Sequence, residues 1–211
     1  MIAAVPLFLT AACTGAGSVT GAVPTGGPPV IVPGEPGQEA RLASPGEQVL
    51  PPSPAGPNAA DVRFVERMIP HHRQALELTA LVAGRSTDAD LRTLAERIAA
   101  AQRAEITAMA SWLRRLGRRV PDGHGHFGAD ATPMPGMVTP EQLGRLRAAR
   151  GAEFRRLFLE LMIAHHRGAV AMAGEVLRGG QDRFVARLAR SIADDQLIEI
   201  RRMRAMLGAR P

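Results

Sequence analysis

The chain has 211 residues, a formal net charge of +6, 45% apolar residues and 3% aromatic ones. All 26 of its basic residues are arginine, scattered along helix faces with almost no aromatics beside them, a pattern that reads as a solvated surface and not as a nucleic-acid interface. Its single cysteine, Cys13, excludes both an intramolecular disulfide and a thiolate metal cluster.

Met1 to Ala12 form a short apolar run that ends in small residues and is too short to span a bilayer. Leu9-Thr10-Ala11-Ala12-Cys13 resembles a bacterial lipobox. Lipidation at Cys13 would place the protein at the cell envelope, anchored to the outer face of the cytoplasmic membrane, with 1–13 as the signal segment. Residues 14–57 hold ten prolines and nine glycines with few large apolar groups. Such a stretch buries too little surface to offset its ordering entropy, so it reads as a disordered tether.

From Asn58 onward the pattern is helical. At 100° per residue from Phe64, the residues Met68, His71, His72, Ala75, Leu78, Thr79 and Val82 share one stripe and Glu66 lies opposite. This helix should end near Gly84, and Pro70 should kink it without ending it. Thr87-Asp88-Ala89-Asp90 predicts the start of a second helix. That helix presents Leu91, Leu94, Ala95, Ile98, Gln102, Glu105, Ile106, Met109, Trp112, Leu113 and Leu116 on one face and is capped by Gly117. A Gly/Pro linker follows over 118–139. Thr139-Pro140-Glu141-Gln142 is a helix start, with an N-cap threonine, proline at the first position and a capping-box glutamine. Gly151 breaks this lead-in before a third main helix at about 152–178 and a fourth at about 182–207, capped by Gly208.

The main helices form a tandem repeat. Aligning 64–113 with 158–207 gives 19 identities in 50 positions at a constant offset, including His71/His165, His72/His166, Gln102/Gln196, Glu105/Glu199 and Met109/Met203. Each copy is too small to bury a core alone. The expectation is therefore one all-α domain over 58–208, a four-helix bundle built from two two-helix repeats.

The buried stripes carry the candidate chemistry. His71, His72, His165 and His166 fall at core positions, as do Gln102 and Glu105 and their counterparts on the partner helices. Polar groups at such depth are costly unless they meet one another. Imidazole is the commonest metal ligand and thioether favours copper, so these histidines with Glu105, Glu199, Met68, Met162, Met109 and Met203 make a candidate copper site. A hydrogen-bonded His/Glu network without metal is the alternative. His124, His126, Met134 and Met137 in the linker form a second candidate set.

The phrases Met68-Ile69-Pro70-His71-His72, Phe158-Leu159-Glu160-Leu161-Met162-Ile163-Ala164-His165-His166-Arg167, Gln102-x-x-Glu105-Ile106 and Met134-Pro135-Gly136-Met137 before Thr139-Pro140-Glu141-Gln142-Leu143 resemble the bacterial domain-of-unknown-function 305 family. The resemblance covers about 60–208. It implies a ferritin-like four-helix bundle, exported or lipid-anchored, with copper or silver binding through His and Met side chains in some members. The functional expectation is a non-enzymatic copper-binding or sequestering protein of the envelope whose partner is the metal ion. A homo-oligomer is compatible with it. A structural or adaptor bundle is the main alternative. A di-iron oxidase fits less well, because Glu66 and Glu160 point outward and leave two glutamates inside.

Overall fold

A computed structural model describes residues 26, 28–32, 39–47, 56–122 and 134–208. The chain divides into two units, Met1–Pro54 and Ala55–Pro211. Cys13, His124 and His126 lie outside the described residues, as does the whole signal segment 1–13.

In the first unit, β1 (Ile31–Val32) pairs antiparallel with β2 (Arg41–Leu42). The Ala43 amide donates to the Val30 carbonyl at 2.9 Å, and Arg41 holds Glu47 through a two-pronged ion pair. Part of the stretch expected to be structureless therefore carries a small hairpin. It escaped the composition argument because an arginine–glutamate fork and a few ladder bonds hold it, not a core.

The second unit is helical. It comprises α1 (Ala59–Ala80), α2 (Ala89–Arg115), the short α3 (Pro140–Ala148), α4 (Gly151–Gly179) and α5 (Arg183–Gly208). Asn58 caps α1 in a reciprocal box with Asp61, and the helix runs unbroken through Pro70. It ends at Ala80, short of Gly84, and residues 81–85 form turns. Asp88 caps α2 through the Leu91 amide at 3.1 Å. At its other end the Gly117 amide bonds the Arg114 carbonyl and the Arg118 amide reaches back to Leu113, a closure for which Gly117 takes φ +66°. Leu116, expected on the buried face, is 39% exposed because it lies in this closing turn. Thr139 and Gln142 form the expected box at the start of α3. Gly208 is the last residue of α5 and not a cap beyond it.

Two apolar clusters fill the bundle. One joins Ala75 and Leu78 of α1 to Leu91–Ile98 of α2, Phe154–Ile163 of α4, and Ile200 and Met203 of α5. The other joins Phe64–Ile69 of α1 to Met109–Leu113 of α2, Ala169–Val176 of α4 and Val185–Ile192 of α5. Neighbouring helices are thus antiparallel, and the two repeats exchange ends, as a pseudo-twofold axis across the bundle requires. Between the clusters, at mid-height, sit His71, His72, Gln102, His165, His166 and Gln196, all buried.

The repeats are tied at opposite ends by equivalent positions of opposite charge. Asp61 Oδ2 accepts from the amides of Asn58, Gln181 and Asp182 at 2.9, 2.9 and 3.1 Å. Its counterpart 94 positions on is Arg155, which donates to Asp88 Oδ2 at 2.8 Å and to the Met206 carbonyl at 2.6 Å.

Candidate metal centre

His71 and His72 are consecutive on α1, so their side chains splay about 100° apart. His165 and His166 do the same on α4. Both pairs show ring centroids 6.3 Å apart at 53°. The outer member of each pair meets a carboxylate: His72 Nε2 lies 2.7 Å from Glu105 Oε2, and His166 Nε2 lies 2.7 Å from Glu199 Oε2. The inner members meet each other, with the His71 and His165 rings 3.8 Å apart at 34°. All four rings are fully buried, while Glu105 and Glu199 keep 15% and 16% side-chain exposure.

The linker enters this layer on one side. Gln74 brackets Val138, donating to its carbonyl at 2.8 Å and accepting from its amide at 2.7 Å. This fastens the turn Met134-Pro135-Gly136-Met137 across α1 and α4, where the Pro135 carbonyl stands 3.2 Å from His71 Nε2. Gly168 permits the approach, since a Cβ there would stand 1.9 Å from the Pro135 oxygen. Gly136 takes φ +77°, and a Cβ on it would stand 2.5 Å from the Ala164 carbonyl. Gln74 and Gly168 are equivalent repeat positions with opposite duties, one clasping the turn and the other making room for it. Sequence reasoning missed both. The available signal was a glycine inside an otherwise regular helix, opposite a glutamine in the other copy.

Three of the four imidazoles therefore present Nε2 to an oxygen: Glu105, Glu199 or the Pro135 carbonyl. A nitrogen facing such an acceptor carries the proton, and in the neutral tautomer Nδ1 then holds the lone pair. Among the described residues no hydrogen-bond partner meets Nδ1 of His71, His72 or His166, either amide atom of Gln102 or Gln196, or, apart from the nearby His71 backbone, either nitrogen of His165. Burial, reinforced by the neighbouring His72, lowers the His71 pKa well below 6.5. Burial again, then His71, does the same to His165. Both inner rings are neutral near pH 7 and able to donate a lone pair.

These nine atoms bear directly on what the layer holds. At about 1–3 kcal/mol for each buried polar atom left unsatisfied, their cost rivals the whole stability of a domain, about 5–15 kcal/mol. The donor set fits a copper ion in its chemistry, with imidazole nitrogens held from behind by carboxylate and carbonyl acceptors, the usual support of a metal-bound histidine. It is not a closed coordination sphere: among the described residues, no group of three or more His, Cys, Asp or Glu side chains stands ready to hold a metal ion.

Of the predicted sulfur ligands, Met68 and Met109 lie in one apolar cluster and Met162 and Met203 in the other, flanking the layer from both ends. Met134 is buried and Met137 half-buried in the linker turn. Glu66 and Glu160 face outward, paired with Arg118 and Arg156.

The fold and this layer define a class: tandem-repeat four-helix bundles with paired His–Glu contacts at mid-height. The chain belongs to the family defined by the domain of unknown function DUF305, whose profile matches residues 61–207. Among solved structures, a DUF305 fragment from Deinococcus radiodurans is 36% identical over 72% of this chain and 97% of its own, with a TM-score of 0.64. A DUF305 protein of Streptomyces coelicolor, a candidate secreted protein, is 32% identical over 71% of this chain and 91% of its own, also at 0.64. CopM in its Cu(II)-bound form is 29% identical over 70% of this chain and 95% of its own, at 0.58. CopM has also been solved in a Cu(I)-bound form. No curated protein matches the chain.

Proposed function

We propose that this protein is an exported, non-enzymatic copper-binding protein that sequesters the metal at the cell envelope. The observation that carries the reading is the set of buried ring nitrogens that lack hydrogen-bond partners among the described residues, backed by Glu105, Glu199 and the Pro135 carbonyl. His71, His72, His165 and His166 would hold the ion, with Met68, Met109, Met162 and Met203 as the adjoining thioether donors. Copper supplies affinity for nitrogen and sulfur together. Glu105 and Glu199 orient the outer rings and fix their tautomers. The copper-bound forms of CopM and the secreted description of the Streptomyces relative support the reading. The lipobox-like Leu9-Thr10-Ala11-Ala12-Cys13 supports anchoring through Cys13.

The test is metal content and competition titration of the full chain. Wild type should bind copper, more tightly near neutral pH than at about pH 5, because protons compete for the same nitrogens. His71→Ala plus His165→Ala should lose most of that affinity while circular dichroism stays helical. Affinity retained by the double variant would move the site to the linker set His124, His126, Met134 and Met137.

One observation favours a second reading. His72–Glu105 and His166–Glu199 already satisfy one another, and no three-ligand group is assembled. A structural or adaptor bundle whose polar layer sets helix register would look the same. It predicts no copper affinity in wild type and a loss of stability in the double variant.

A further inference from the structure

The imidazole layer is closed on most sides. Apolar clusters seal both ends of the bundle. The close helix pairs are α1–α2, α4–α5 and α1–α4, and the linker turn lies across the last of these, against His71, Gln74 and Gly168. α2 and α5 do not pack closely on each other. Along that face the members of the site with solvent access are Glu105 and Glu199, each bonded to a fully buried histidine.

A third carboxylate lies one helical turn before Glu199 on the same face of α5. Asp195 is exposed on α5, four residues before Glu199, and burial followed by the charges of Glu105 and Glu199 raises its pKa. Its counterpart in the first repeat is Ala101, so it belongs to no part of the repeated pattern. Three negative groups crowd one spot on a chain whose net charge is +6. Just inside, one helical turn before the glutamates, the amides of Gln102 and Gln196 are 2% and 3% exposed and without partners among the described residues. Buried polar groups of that kind call for a polar partner beyond the described side chains, such as water or an ion.

We propose that metal cations reach the layer through the α2–α5 face, meeting Asp195 first, then Glu105 and Glu199, and passing from these to His72 and His166. Asp195 acts as an attracting residue and not as a ligand of the final site. It offsets the repulsion that a positively charged protein imposes on an approaching cation. The inference rests on the copper reading above.

Rapid-mixing measurements of Cu(II) association with the full chain test it, comparing wild type, Asp195→Asn and Glu153→Gln. The last removes the same charge from an exposed position at the start of α4, outside the site. At low ionic strength Asp195→Asn should associate several-fold more slowly than both others, with unchanged copper stoichiometry. The difference should fade at about 0.5 M salt, where screening shortens the reach of the charge to a few ångströms. Equal rates for Asp195→Asn and Glu153→Gln, with normal stoichiometry, overturn the route alone. A lower stoichiometry in Asp195→Asn makes it a ligand and overturns the attracting role. Absence of copper affinity in wild type overturns both the route and the reading beneath it.

Discussion

The two repeats agree where their helices face each other and disagree where the linker touches them. His72–Glu105 and His166–Glu199 share one distance, 2.7 Å, and the two histidine pairs share one ring geometry. Yet the inner rings are unequal: His71 Nε2 faces the Pro135 carbonyl, whereas among the described residues no linker group meets the His165 ring. A duplicated sequence imposes the symmetric part. A single linker must lie on one side of the axis and cannot serve both copies alike, so the departures collect at Gln74 and Gly168.

The sharpest way to break this comparison is to exchange the burdens of those two positions. Gly168→Val puts branched carbon where a Cβ already meets the Pro135 oxygen at 1.9 Å. Overpacking against backbone costs about 1–3 kcal/mol, and displacing the turn forfeits the bonds from His71 and Gln74, roughly 1 kcal/mol each. A loss of about 4 kcal/mol in urea unfolding is expected. Gln74→Ala, which removes two buried bonds to Val138 and inserts nothing, should cost about 2 kcal/mol. Equal losses at the two positions would mean that the turn is not seated where the comparison places it.

This contrast also separates what the sequence displayed from what it concealed. The depth of the four histidines and their nearness to Glu105 and Glu199 were legible; which ring meets which carboxylate, and that the Gln102 and Gln196 amides do not join them, was not. A 100° period and a constant offset place those residues on facing stripes. Helix ends at Asp88, Gly117 and Thr139 were legible because capping is local chemistry. The grip of Gln74 on Val138 was not, because it spans 64 residues and depends on where a linker lies in space. The identity of the atom facing His71 was hidden for a further reason: a backbone carbonyl leaves no mark on composition or period. Asp195 was passed over because the repeat drew attention to positions that match, and it is a position that does not.

A smaller effect should distinguish the inner rings from the outer contacts through pH. His71 and His165 have folded pKa values well below their ordinary 6.5, so the folded state binds fewer protons than the unfolded one. Stability from this source is complete above about pH 6.5 and is lost as pH falls from there toward the folded values. For the metal-free chain each ring's slope grows from about half of 1.4 kcal/mol per pH unit at pH 6.5 toward that full value below it, so roughly 2 kcal/mol is lost between about pH 6.5 and 5.5. Unfolding titrations of wild type and of His71→Gln plus His165→Gln compare directly, and the double variant should lose most of the slope. A flat wild-type profile over that interval would show that the inner rings accept protons in the folded state as readily as in the unfolded one.

The smallest difference expected lies at Glu66 and Glu160, equivalent positions on the outer faces of α1 and α4. Glu66 pairs with Arg118 across the bundle surface at 3.0 Å, and Glu160 with Arg156 one turn back along its own helix at 2.8 Å. Both pairs are partly exposed, and such pairs are worth about 0–1 kcal/mol after screening and side-chain ordering. Glu66→Gln and Glu160→Gln should each change stability by about 0.5 kcal/mol or less, with copper stoichiometry unaltered. The second readout matters more than the first. A carboxylate-bridged di-iron centre needs glutamates beyond Glu105 and Glu199, and these two would have to turn inward to supply them. Metal binding lost on either substitution would revive that chemistry; metal binding retained leaves the interior carboxylates as supports for histidine, two for two pairs.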